Sequence, residues 1–150
     1  MNSIKFKAFF YPLLFSLILI SCKTAEEVNS TSTPQGKRYA IGQGGGFTGD
    51  YSEFILGEDG KVFKYDFKYD REVFFKNVSK ADLIYFLEKI EALSLDGMEM
   101  NSPGNMSYYI DVREGRTSIN KLVWGHPNFY PDKDLVELHK EMFDSLSKWD

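Results

Sequence analysis

Lys61-Val62-Phe63-Lys64-Tyr65-Asp66-Phe67-Lys68-Tyr69 is the stretch on which the fold turns. Rings at 63, 65, 67 and 69 alternate with charges at 64, 66, 68 and 70. A period of two puts all the rings on one face of a strand and all the charges on the other. The spacing predicts a strand over 61–69 whose ring face packs on the core. A ligand platform is the competing use of such a stripe. The segment is also a tandem copy, Phe63-Lys64-Tyr65-Asp66 followed by Phe67-Lys68-Tyr69-Asp70. One duplication is too short for a solenoid.

Just upstream, Gly57-Glu58-Asp59-Gly60 carries the Asp-Gly hairpin signal. It predicts that residues 51–56 pair back on the strand that follows, with 38–42 as a further strand. Downstream, residues 72–76 can extend the sheet after a break near Asp70. Ser79 with Asp82 three residues on forms a variant capping box. Leu83, Phe86, Leu87 and Ile90 then give the apolar stripe of a helix. Residues 95–106, with Gly97, Pro103 and Gly104, form a loop. Residues 108–113 and 117–124 are strands joined at Glu114-Gly115. Asp132 caps a last helix in which Leu135, Leu138, Met142 and Leu146 recur at helical spacing. The order β-β-β-α-β-β-α with hairpins predicts an α+β domain, a mostly antiparallel sheet with two helices on one face.

The N-terminus follows different rules. Lys5 and Lys7 precede an apolar run over residues 8–20 that is broken by Tyr11, Pro12 and Ser16. The run is shorter than the roughly 20 residues of a spanning helix and reads as a secretory signal. It ends in Leu19-Ile20-Ser21-Cys22, which resembles the lipobox of bacterial lipoproteins. That resemblance implies cleavage between Ser21 and Cys22, diacylglycerol on the Cys22 sulfur and an acyl group on the new amino terminus. It implies a protein anchored in the bacterial cell envelope, with the outer membrane the expected address and the face left open. Cys22 is the only cysteine, so no internal disulfide can form, and lipidation gives it a use. Two or more acyl chains hold firmly where one holds marginally.

Residues 1–21 are thus read as the signal, 22–36 as lipidated cysteine plus tether, and 37–150 as one domain. Residues 23–36 are nearly devoid of apolar side chains and cannot bury enough surface to fold. Removing the signal leaves 16 basic against 22 acidic residues. That balance argues against a nucleic-acid partner, and membrane attachment is assigned to the lipid.

The candidate binding loop is Gly44-Gly45-Gly46-Phe47-Thr48-Gly49 together with His126, Asn128, Phe129 and Tyr130. The glycines match G-x-G-x-x-G, but a dinucleotide site needs a helix after them and a strand is predicted there. Two readings remain: a strand connection using positive φ, or a loop that lays its backbone on a protein partner with Phe47 as anchor. The Pro127–Pro131 loop carries two rings and is either a contact surface or a lid on the core. His126 and His139 are the only histidines. No zinc or calcium spacing and no G-x-S-x-G stands in the chain, so no catalytic residue, metal or cofactor is assigned.

Gly45-Gly46-Phe47-Thr48-Gly49 at the start of a small α+β domain resembles the S-G-G-F-x-G opening of emfourins, small protein inhibitors of thermolysin-like metalloproteases. A loop proline before Tyr108-Tyr109-Ile110-Asp111-Val112 and Pro131 before Leu135 and Leu138 extend the likeness over residues 41–146. The chain departs from the family in its lipoprotein signal and in the 63–69 segment. The resemblance implies an inhibitory or binding role and no catalytic residue. A structural or accessory envelope lipoprotein and an unrecognised hydrolase are the alternatives.

Overall fold

The alternating strands and capped helices assemble as a single sheet with one covered face. The structure is a computed structural model that describes residues 36–148. The signal, Ser21, Cys22 and nearly all of the tether lie outside the described residues. The elements are β1 (Lys37–Gly45), β2 (Asp50–Gly57), β3 (Lys61–Asp66), β4 (Arg71–Asn77), α1 (Lys80–Leu93), β5 (Asn101–Ser102), β6 (Met106–Glu114), β7 (Thr117–Trp124) and α2 (Lys133–Ser147). The seven strands follow the order β4-β3-β2-β1-β6-β7-β5. All neighbours are antiparallel except β5 with β7. The predicted α+β class and element order are present; the anticipated extension at residues 72–76 is β4, and β5 is added within the segment read as a loop.

Both helices pack on the same sheet face. Tyr39 and Ile41 of β1, Phe54 and Leu56 of β2, Ile110 and Val112 of β6, and Leu122 and Trp124 of β7 point at Phe86 and Ile90 of α1 and at α2. The predicted α2 stripe, Leu135, Leu138, Met142 and Leu146, is fully buried. Each such leucine contributes about 1.5–3 kcal/mol relative to an exposed one. Ser79 accepts from the Asp82 amide, and Asp132 accepts from Asp134 and Leu135, as their positions predict. Among the described residues no helix is long and apolar enough to cross a membrane.

The opening stretch is corrected in two respects. It is not one strand to residue 69: β3 stops at Asp66, and the second copy of the repeat makes a tight turn. Asp66 Oδ1 accepts from the Lys68 and Tyr69 amides, and Asp70 takes φ 50°. An aspartate that satisfies nearby amides and tolerates a left-handed neighbour favours a turn over strand propensity. The chain then returns as β4, paired to β3 with a bulge at Val62/Phe63. The ring face is also not the core face. Val62, on the other side, is fully buried in the core, while Phe63 lies against the Arg38 guanidinium on the helix-free face.

Candidate functional site: the loop end of the sheet

Strand register brings the two predicted loops to one end. Gly45, at the end of β1, pairs with Asp50 on one side and with Met106, at the start of β6, on the other. Tyr108, near the start of β6, pairs with Trp124, the last residue of β7. The β1–β2 tip, the residues before β6 and the β7–α2 connection therefore emerge side by side.

The glycines there are required by geometry. Gly45, Gly46 and Gly49 have φ of 111°, 72° and 68°, values that L side chains resist. A Cβ on Gly45 would sit 2.4 Å from the Asn105 carbonyl oxygen. That closeness lets the Gly46 amide donate to the same oxygen at 2.6 Å. On the far side, a Cβ on Gly125 would meet the Met106 carbonyl oxygen at 2.1 Å, and the His126 amide donates to Ser102. Residues 102–106 thus bridge the two predicted loops through backbone contacts.

The tip carries Phe47 with its ring wholly in solvent, and Asp50 donates to Thr48 Oγ1 across the turn. In the second loop the Phe129 amide donates to the His126 carbonyl, and Asn128 donates to His126 Nδ1 at 3.2 Å. This tight turn projects Tyr130, which is 88% exposed, while Phe129 and Met106 are partly exposed. An isolated surface ring is unremarkable, but several on neighbouring loops form an exposed apolar patch. A lid over the core would bury its rings, so that reading fails for Tyr130.

The histidines do not build a catalytic group. The His126 imidazole accepts from the Asn128 amide of its own loop. His139 is buried between the rings of Tyr108, Trp124 and Phe143, with Nε2 on the Gly42 carbonyl. Burial holds its pKa below the ordinary value, so it is a neutral donor to that oxygen. Among the described residues neither histidine meets both a hydroxyl and a carboxylate, the arrangement the hydrolase alternative needs. Among the described residues no group of His, Cys, Asp and Glu is placed to hold a metal ion.

The helix-free face is what the sequence reading missed. Glu53 accepts from Arg113 Nη1 and Nη2 at 2.9 and 3.0 Å and from the Tyr109 hydroxyl at 2.8 Å. Asp111 accepts from Arg113 Nε at 2.7 Å and from Ser118 at 2.6 Å. Glu72 takes both terminal nitrogens of Arg38. Burial, then the Glu53 charge, pushes the Tyr109 hydroxyl up, so it stays a proton donor. Tyr109 lies over Gly42, where a Cβ would fall 2.0 Å from its ring. The signal that could have found this face is the alternation of Tyr109, Asp111 and Arg113 with Ile110 and Val112.

No family model matches the chain, and no curated protein matches it.

Proposed function

We propose that the chain is a lipid-anchored envelope lipoprotein whose folded domain is a non-catalytic binding module that docks a protein at its loop end. The observation that carries this is the convergence of the Gly44–Gly49 and 126–131 loops, with Phe47 and Tyr130 projecting from one end of the sheet. The Gly46 amide's bond to the Asn105 carbonyl ties the chain beneath Phe47, and the His126 and Phe129 amide bonds and the Asp132 cap tie the segment around Tyr130. Rings on preorganised loops lose little entropy on binding, which is what an anchor requires.

The partner we assign is a thermolysin-like metalloprotease, held in an inhibited complex. The residues that carry the emfourin resemblance, 45–49, are the same ones that present Phe47, which supports this choice. Cys22 supplies the address: with its acyl chains in the envelope membrane, residues 23–36 would let the domain reach up to ~50 Å from the surface. The test is inhibition of several purified thermolysin-like proteases by the chain. Activity should fall in proportion to added protein, and full activity at micromolar concentration against all of them would overturn the inhibitor reading.

A further inference from the structure

The helix-free face holds a second, independent feature, an open cavity of about 670 Å³ whose two sides differ in chemistry. On the β2–β3 side stand rings: Phe67 lies 5.9 Å from Tyr51 and 4.8 Å from Tyr65 between centroids. Phe67 and Tyr51 are each 48% exposed. On the β7 side stand cations, Arg116 in the turn before β7 and Lys121 within it.

The charges are unequal in their freedom. The cavity's buried acids are already committed, Glu53 and Asp111 to Arg113 and Glu72 to Arg38. Asp70 is hydrogen-bonded to Tyr65. Arg116 and Lys121 have no carboxylate partner among the described residues; the Lys121 ammonium lies 4.2 Å from the Tyr109 ring centroid. A cation entering the cavity would find three of its four carboxylates, Glu53, Asp111 and Glu72, already paired with arginines. An anion would find two cations without a carboxylate partner, in a chain whose net charge is −4. Removing an anion from water is compensated only where such partners wait, and the flanking rings offer a flat apolar surface beside them.

We infer that this cavity is a binding site for a small anionic aromatic molecule, its phosphate or carboxylate held by Arg116 and Lys121 and its ring laid against Phe67 and Tyr51. The site uses residues that the loop-end reading does not, so either can fail without the other.

The experiment is titration of the 15N-labelled full chain with phenyl phosphate, followed by NMR, with inorganic phosphate and phenol in parallel. Phenyl phosphate is expected to shift resonances of residues 116–121 and 51–67 together and to bind at least about tenfold tighter than either half alone. Arg116→Gln with Lys121→Gln should weaken phenyl phosphate about tenfold, and both side chains are exposed, so the fold should persist in the same spectra. Phe67→Ala should abolish the advantage over inorganic phosphate while leaving phosphate binding intact. Shifts scattered over the surface, affinity unchanged in the double variant, or inorganic phosphate matching phenyl phosphate would each overturn the assignment.

Discussion

The imidazole Nε2 of His139 donates to the carbonyl oxygen of Gly42 at 2.9 Å, tying α2 to β1 beneath the loop end. The ring is 4% exposed, and burial lowers its pKa from the ordinary 6.5. The hydrogen bond to Gly42 and, after it, the Asp144 charge act in the opposite direction, and aromatic rings surround the imidazole. The unfolded chain therefore binds this proton at a higher pH than the fold does. This contribution to stability is fully present above about pH 6.5 and is lost as pH falls through that value toward the folded pKa. In urea unfolding at pH 7.5 and 5.5, His139→Gln should cost about 1–3 kcal/mol at the higher pH. The gap to the wild type should narrow at the lower pH. A constant gap would mean the imidazole does not titrate between the two states.

Gly42 and Gly46 should respond differently to alanine. At Gly42 the added methyl would overlap the Tyr109 ring, which its hydroxyl bond to Glu53 holds in place. A rigid obstacle cannot step aside, so Gly42→Ala should cost several kcal/mol or prevent folding. At Gly46 nothing lies within 4 Å of the new methyl, but φ is 72°. Gly46→Ala should then cost only about 1–2 kcal/mol, the left-handed backbone penalty. Denaturant midpoints of the two variants give the comparison, and equal losses would contradict the Tyr109 contact.

Some of this was legible in the chain and some was not, for reasons visible at single residues. Leu135, Leu138, Met142 and Leu146 were legible because helical spacing and burial coincide there. Residues 63–69 misled because a period of two separates two faces without saying which one a helix covers. Near the sheet edge the helices reach Val62 and leave Phe63 and Tyr65 to the other side. Glu53 and Tyr109 looked like separate surface groups. Only register, which sets both opposite Gly42, brings them together and buries them.

The ion pair of Glu53 and Arg113 makes a further test. Their side chains are 5% and 13% exposed. Glu53→Leu alone would leave Arg113 held by Asp111 alone in a largely dry setting, and losing one member of a buried pair costs about 3–5 kcal/mol. Replacing both, Glu53→Leu with Arg113→Met, removes the charges together and should cost less than the two single changes summed. Calorimetric unfolding of the four proteins closes the cycle. Additive losses would mean that the two groups act independently.

Cys22 carries the proposed anchor. Cys22→Ala should abolish incorporation of labelled fatty acid and release the protein from the membrane fraction, since no other cysteine can accept the lipid. Continued labelling of the variant would overturn the lipoprotein reading.

Phe47 and Tyr130 separate binding from stability. The Phe47 ring is fully exposed and Tyr130 is 88% exposed, so the fold draws almost nothing from either. Truncating exposed side chains changes stability by about 0.5 kcal/mol or less. Aromatic anchors at an interface centre commonly contribute about 2 kcal/mol or more, roughly a thirtyfold change in Kd. Phe47→Ala and Tyr130→Ala should thus keep the wild-type Tm and lose protease inhibition by about that factor. Arg116→Gln, in the β6–β7 turn at the opposite end of the strands, should leave inhibition unchanged. If the two ring variants inhibit as well as the wild type, the partner does not dock on the loop end. If they also melt early, the rings are part of the fold, and their exposure has another cause.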